Sequence, residues 1–397
     1  MNSTLADALV LTLPAAMTLR QWVRAGVLAR EWPLYERLGA DYGRILLVTY
    51  GNAEDLAFAA AWPESSECPS GRPPTIICNQ TGADPDVYAS RLPEIVSGTI
   101  DDCSSAVIKT CQMQGGEIAA RIAERLRGTG RRTGLIGRGG YLWSRFVSKE
   151  RGPDSSEAAR AAACEELLCR SSDVVIGTTP RMIDDLAWRY AISPDRLHLV
   201  PNFVGVESEP TPSSDRETDR ILYAGPLVRR KRVDVLIEAA ASIRAEGRPG
   251  VVLEVIGEGP EEASLRSLAR ELQAPVDFRS SATRGEILDR MSRCSIYAQA
   301  SELEGHPTTV LEAMATGAAV VVADSPGLAE VVQIGATGLR VPCDAEGFSH
   351  AIGQLLGDDD WRDALGFAAS RFARETCSLE RVVPLERRAH ESSLRAA

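Results

Sequence analysis

The sequence predicts an α/β protein of two doubly wound domains. Three observations carry this expectation. Short apolar, β-rich runs alternate with longer helical patterns from end to end, the signature of βα units and parallel sheets. At 397 residues the chain exceeds what one hydrophobic core usually serves. A polar stretch rich in Pro and Ser, "GVESEPTPSSDRETDR" at residues 205–220, lacks periodic apolar positions and reads as a linker between two such series.

In the first series the strands read "ALVLTL" (8–13), "RILLVTY" (44–50), "PTIIC" (74–78), "SAVIKT" (105–110), "TGLIG" (133–137) and "DVVIGTT" (173–179). Helical patterns separate them, among them "TLRQWVRAGVLAREWPLYERLGA" and "SSEAARAAACEELLCRSS". "ALVLTLPAAM" has the length of a short export-signal core, but the N-terminus lacks the basic start of such a signal, so it reads as a buried first strand. The second series reads "ILYAG" (221–225), "VVLEVIG" (251–257), "APVDF" (274–278), "CSIYAQA" (294–300), "AAVVVA" (318–323) and "GLRVP" (338–342). The chain closes on helical patterns through "WRDALGFAASRFARETCS" and "LERVVPLERRAHESSL". The expected domains are residues 1–203 and 204–376, facing each other across a cleft, with ligands bound outside the carboxyl ends of the strands.

Composition narrows the function classes. A content of 44% hydrophobic and 25% charged residues is that of a soluble globular protein, and no apolar run approaches the roughly 18 residues of a membrane span. The expected location is the cytoplasm. A formal charge of -11 argues against a broad nucleic-acid surface, which needs clustered Lys and Arg. The nine cysteines include no C-x-x-C pair and read as free or buried thiols. The four histidines, His198, His306, His350 and His390, are too scattered to assemble a metal cluster, so no metal is expected.

Three strand-to-helix turns in the second series have the residues for chemistry. The first, "GPLVRRKRVDVLIEAA", ends a strand at Gly225 and concentrates Arg229, Arg230, Lys231 and Arg232 just before a helix. Cations there oppose the helix dipole, and phosphate groups are their natural partners. The second, "IGEGPEEASL" with Gly257, is half a dinucleotide fingerprint, since its sixth position is Glu262. A tight turn followed by a helix begun at Pro260 accounts for it equally well.

The third turn is "ELEGHPTTVLEAMATG". Pro307 suits the first turn of a helix, which then runs to Gly317. Glu304 lies in the loop and Glu312 on the helix, with Gly305, His306 and Pro307 between them. The amides of Thr308, Thr309 and Val310 form an anion site fit for a diphosphate. A carboxylate on either side of that site suits hydroxyl groups, those of a ribose at one end and of a hexose at the other. The pair therefore spans an elongated sugar nucleotide. Glu312 stands among apolar neighbours, where a carboxylate needs hydrogen-bond donors.

These motifs, in this order, resemble the nucleotide-sugar-binding domain of the retaining glycosyltransferases of GT-B fold, specifically glycosyltransferase family 4. The resemblance rests on Gly225 and Lys231 in "GPLVRRKR", "IGEGPEEASL", "ATRGEILDRMSRCSIYAQAS", the pair Glu304 and Glu312, and "SPGLAEVVQIGATGLRV". It spans about residues 195–357. It implies that Lys231 contacts the donor diphosphate, Glu304 the transferred sugar and Glu312 the ribose. It also implies that Gly305 to Thr309 supply backbone donors, that Glu330 braces the site, and that residues 377–397 form a helix packing back on the acceptor-binding first domain.

The chain departs from the family pattern in three places. The family usually has Arg directly after the first glycine, where this chain has Pro226, with Arg229 and Arg230 nearby as substitutes. A glycine-rich turn after the first strand is absent. So is the acceptor-domain histidine, whose place "GRGGYLWSRF" takes, making Arg138 with Tyr141 beside it the candidate contact; a structural turn with an outward Arg is the alternative.

The implied reaction transfers a sugar from a nucleotide-diphosphate sugar, a UDP- or GDP-sugar, to an acceptor hydroxyl with retention. The acceptor is a sugar, a lipid-linked sugar or a small metabolite, in polysaccharide, glycolipid or glycosylated-metabolite synthesis. Lys231, nearby arginines and the helix N-terminus stabilise the departing diphosphate, without metal. A non-catalytic partner subunit of the same fold is the alternative from another class, favoured by Pro226 and the missing histidine. A nucleotide-sugar epimerase or phosphorylase lacks support, since neither Lys109 nor Lys149 sits in a recognisable site. The stretch "GGEIAARIAERLRGTGRR", with Arg121, Arg125, Arg127, Arg131 and Arg132, is either a plain surface helix or a peripheral contact with an anionic membrane.

Overall fold

The computed structural model describes residues 4–60, 73–205, 210–280 and 282–397. The expected linker at 205–220 falls partly, at 206–209, outside the described residues, as does Cys68. The chain divides into two compact units, residues 1–201 with 382–397, and residues 202–381.

The first unit holds seven strands: β1 (Ala6–Thr12), β2 (Tyr42–Asn52), β3 (Thr75–Asn79), β4 (Ser105–Thr110), β5 (Arg132–Arg138), β6 (Val174–Gly177) and β7 (Leu197–Leu199). They pair in parallel in the order β3-β2-β1-β4-β5-β6-β7. The apolar run at the start of the chain is the central strand β1, with Leu9, Val10 and Leu11 fully buried. Helices cover both faces of a parallel sheet, which is why such strands read as continuous rather than alternating apolar runs. The first long helical pattern breaks in two, Leu19–Arg24 and Val27–Gly39, because Gly26 adopts φ +67° between them.

From Val382 onward the last helix, Leu379–Ala396, belongs to the first unit. Its buried positions Val382, Glu386, Ala389, His390 and Ser393 recur at helical spacing. The stripe is partly polar because the sheet offers matching groups. Lys109 Nζ on β4 donates to Glu386 Oε1 at 2.8 Å, with both side chains fully buried. Tyr42 Oη lies 2.6 Å from His390 Nδ1, and Arg387 pairs with Asp41 at 2.7 Å.

The second unit holds β8 (Glu217–Ala224), β9 (Val252–Ile256), β10 (Val276–Arg279), β11 (Cys294–Gln299), β12 (Ala319–Ala323) and β13 (Leu339–Val341). These pair in parallel in the order β10-β9-β8-β11-β12-β13. The order reverses direction between β8 and β11. At such a switch point the connections from two neighbouring strands run to opposite faces and leave a crevice at the carboxyl edge. "DDD" begins the helix Asp359–Cys377, where Asp358 Oδ1 accepts from the Trp361 amide at 2.9 Å, as a helix-start charge run should.

The eight described cysteines are free thiols, and no described helix is long and apolar enough to cross a membrane. The helix Gly116–Gly128 is amphipathic, and several arginines expected on its exposed face are engaged within the unit. Arg127 pairs with Asp173 at 2.5 Å, Arg131 bonds Ser97 and the Cys103 carbonyl, and Arg132 bonds the Leu394 carbonyl. Arg121 donates to the Ser90 carbonyl at 3.3 Å.

Candidate active site

The switch point of the second sheet sets the turns after β8 and β11 side by side, 73 residues apart in sequence. After β8 the chain passes Gly225 and Pro226 into a 3-10 turn, Arg229–Lys231, whose Lys231 amide bonds the Val228 carbonyl at 2.9 Å. Arg232 at φ +48° then turns the chain into the helix Val233–Ala245. After β11 the loop at 300–307 leads into the helix Thr308–Ala315. Across this seam Lys231 Nζ lies 2.5 Å from Glu304 Oε1, and Arg230 Nη1 lies 3.5 Å from Glu304 Oε2. Arg230 Nη1 also donates to the Leu303 carbonyl at 2.9 Å, and the Glu302 amide donates back to the Arg230 carbonyl at 3.0 Å.

Glu304 is mostly withdrawn from solvent, its side chain 9% exposed. Burial pushes its carboxyl upward, but the Lys231 and Arg230 charges and the hydrogen bonds from Lys231 and Ser301 outweigh it, so the group is held below the ordinary carboxylate value. The loop is fixed from beneath. Glu304 donates its amide to the Pro326 carbonyl at 2.9 Å, and Ser325 Oγ donates to the Ser301 carbonyl at 2.6 Å. At Gly327, φ +85°, an added Cβ would stand 2.5 Å from the carbonyl oxygens of both Glu304 and Gly305, so only glycine lets the two loops approach. Glu330 follows in the short helix Leu328–Val331.

Pro307 occupies the cap position of the helix rather than its first turn. The hydrogen-bond ladder starts with the Leu311 amide on the Pro307 carbonyl at 3.2 Å, so the amides of Thr308, Thr309 and Val310 point out of the N-terminal end. His306, in the loop before it, accepts the Asn202 amide at Nδ1, 3.1 Å, while Asn202 Nδ2 donates to the His306 carbonyl at 2.8 Å. That bond places the proton of the neutral ring on Nε2.

Glu312 lies in the second turn of the helix and is 5% exposed. Its Oε1 accepts from Arg284 Nη2 at 3.0 Å and Nε at 3.3 Å. Gln299, fully buried at the end of β11, ties Glu304 to the start of the helix. Its Nε2 donates to Glu304 Oε1 at 2.8 Å, and its Oε1 accepts from Thr309 Oγ1 at 3.2 Å and Tyr297 Oη at 3.1 Å. Burial and, more weakly, the Glu304 and Glu312 carboxylates raise the Tyr297 phenol.

The glycine turns after β8 and β9 pack backbone to backbone. A Cβ on Gly257 would stand within 2 Å of the Gly225 carbonyl oxygen, contact that no side chain permits. Of the two arginines near Pro226, Arg230 reaches Glu304. Arg229 is exposed and lines a surface cavity of about 530 Å³ together with Val228, Arg232, Leu265 and Glu302.

Arg138 is not where the sequence suggested. It is 4% exposed and directed inward, Nε 3.8 Å from Glu386 Oε1 and Nη1 3.9 Å from Glu31 Oε2. Buried carboxylates on two helices draw the guanidinium into an internal ion cluster, since an isolated buried charge is costly. Tyr141, partly buried, stacks on Phe146 with ring centroids 4.2 Å apart. Its turn is held by the Gly140 amide on Gln112 Oε1 at 2.9 Å. Among the described residues no group of three or more His, Cys, Asp or Glu side chains is placed to hold a metal ion.

Sequence reasoning missed Gln299, Arg284, Asn202 and Gly327. Gln299 left a signal, a lone amide within the otherwise apolar "CSIYAQA", which must be hydrogen-bonded when buried. Arg284 left a weaker one, a cation in the first turn of a helix.

The chain spans about 58% of the length of the curated relatives it matches. It is 31% identical over 244 residues to the D-inositol 3-phosphate glycosyltransferase of Corynebacterium aurimucosum, covering 56% of this chain and 58% of that one. It is 29% identical over 205 residues to the lipopolysaccharide core biosynthesis glycosyltransferase LpsE of Rhizobium meliloti, covering 49% and 57%. Sucrose-phosphate synthase from Thermosynechococcus elongatus superposes with TM-score 0.74 at 19% identity, covering 98% of this chain and 100% of that one. Anabaena HepE, solved with UDP and glucose, superposes with TM-score 0.73 at 16% identity, covering 96% and 98%. At these identities the likeness establishes the fold alone, two parallel α/β domains of the GT-B type expected from the sequence. Residues 207–372, which hold Lys231, Glu304 and Glu312, match the family described as glycosyl transferases group 1.

Proposed function

We propose that this chain is a retaining glycosyltransferase of family 4 type, moving a hexose from a nucleotide-diphosphate sugar to an acceptor hydroxyl. The observation that carries the reading is the meeting of Lys231 with Glu304 beside the N-terminus of the Thr308–Ala315 helix, at the switch point of a sheet within the matched segment. The helix amides and Lys231 take the diphosphate, whose charge grows as the glycosidic bond breaks, and preorganised donors stabilise that charge without reorganising. Glu304, kept ionised by its cations, accepts from hydroxyls of the transferred sugar. Glu312 accepts from the ribose. Arg230, already at the site, supplies the second cation that Pro226 does not. The proposed chemistry uses no metal.

The acceptor is a hydroxyl on a sugar, a lipid-linked sugar or a small metabolite. The names of the curated relatives, which act on an inositol phosphate and on a lipopolysaccharide core, keep these classes together. With Arg138 withdrawn into its ion cluster, the first unit's contribution to the acceptor is assigned to the turn around Tyr141. The test is thermal unfolding with a panel of UDP-, GDP- and ADP-sugars. A donor at about 100 times its Kd stabilises the fold by about 2.7 kcal/mol. If none of the panel raises the melting temperature, the reading fails.

A second reading, a non-catalytic partner subunit, is favoured by Pro226. Donor hydrolysis by the purified chain, lost in Glu304→Ala, excludes it.

A further inference from the structure

We infer that Arg284 is a positioning residue that fixes one oxygen of Glu312 and so reserves the other for the ribose hydroxyls, making the site discriminate ribose from deoxyribose. The inference rests on the nucleotide-sugar reading above and adds to it a residue and a selectivity.

Glu312 is withdrawn from water, 5% exposed, on a helix whose other residues from Val310 to Ala315 are buried. A carboxylate there needs donors, and a free rotor would make a poor receptor. Arg284 answers both needs asymmetrically. Its Nη2 and Nε converge on Oε1, at 3.0 and 3.3 Å, instead of forming the parallel two-oxygen fork that arginine and carboxylate usually adopt. Oε2 accepts no hydrogen bond from any described residue, although the side chain keeps 7% of its surface. One oxygen is thus clamped and the other held open.

Arg284 is itself locked. It opens the helix Arg284–Arg293, whose capping box joins Thr283 and Glu286 through reciprocal bonds of 3.3 and 2.7 Å. Gly205 faces its guanidinium, with space such that a Cβ there would lie 3.4 Å from Nη2. A cation in the first helical turn opposes the helix dipole, and its bond to Glu312 is what offsets that cost. A site built to accept from a hydroxyl rejects the analogue lacking it, because its polar atom is left unpaired. Selectivity therefore depends on Oε2 being held in place.

The experiment is isothermal titration of the full chain with UDP, GDP and ADP, then with the 2′-deoxy and 3′-deoxy forms of whichever binds. The proteins are wild type, Arg284→Ala, Arg284→Lys and Glu312→Gln, each checked for cooperative unfolding. The wild type should lose about tenfold in affinity when the hydroxyl that Glu312 accepts is removed, the worth of one charge-assisted hydrogen bond. In Arg284→Ala the ribonucleotide should weaken while the deoxy penalty falls to about twofold, and Arg284→Lys should recover part of the penalty. Arg284→Lys decides if Arg284→Ala does not fold. A folded Arg284 variant that keeps the full penalty, or a wild type with none, overturns the inference and leaves the nucleotide site standing. A wild type that binds no nucleotide overturns the functional reading, and this inference with it.

Discussion

Lys231 Nζ stands 2.5 Å from Glu304 Oε1 across the seam between two turns that are 73 residues apart. The pair is largely buried and Arg230 flanks it, so Glu304 is held ionised below its ordinary value of 4.5. A carboxyl whose folded-state pKa is depressed contributes stability above its unfolded value and loses it as pH falls through the folded one. Urea unfolding of wild type and Glu304→Gln across acid pH should therefore show a constant difference at neutral pH. The difference should shrink only below 4.5.

Gly327 seats the Glu304 loop. Gly327→Ala places a Cβ against two carbonyl oxygens at φ +85°, whereas Gly335→Ala, at φ +70°, meets nothing within 4 Å. Both variants bear the strain of a left-handed residue, about 1–2 kcal/mol. Gly327→Ala should lose a further 1 kcal/mol or more, on the order of an overpacked core site, and with it donor binding. Equal melting temperatures and equal affinities in the two variants would count against this seating role.

The last helix is anchored by ions rather than by oil alone. Lys109→Met leaves Glu386 buried without its closest cation and should cost about 3–5 kcal/mol. Adding Glu386→Leu should restore only part of the loss, because Arg138, also buried beside Glu386, is then left with Glu31. Arg138→Ala should likewise lower stability, with donor affinity unchanged. Denaturant titration of the three variants checks these outcomes, and a Lys109→Met protein as stable as wild type would contradict them.

The strands were legible in the pattern of apolar runs, and all twelve expected ones form, though their order in each sheet was not; the three-residue β7 lay unmarked inside "LHLVPNFV". Glu304, Lys231 and the proline-capped helix were legible because turn chemistry and helix starts are local. Arg284 was not, because its partner is set by tertiary packing: Arg284 lies 28 residues from Glu312. Arg138 misled for the same reason. Its neighbours in sequence describe an exposed turn, while Glu31 and Glu386, 107 and 248 residues away, decide where its side chain goes.

The central claim is that Lys231 and Glu304 divide one ligand between them, diphosphate to the lysine and sugar to the glutamate. Calorimetric titration of wild type, Lys231→Ala and Glu304→Ala with a nucleoside diphosphate and with its sugar derivative tests it most directly. Lys231→Ala should weaken both ligands by about tenfold or more, the loss of a charged hydrogen bond. Glu304→Ala should weaken the sugar derivative and spare the diphosphate. Equal losses for both ligands in Glu304→Ala, or wild-type affinity in Lys231→Ala, would contradict the account.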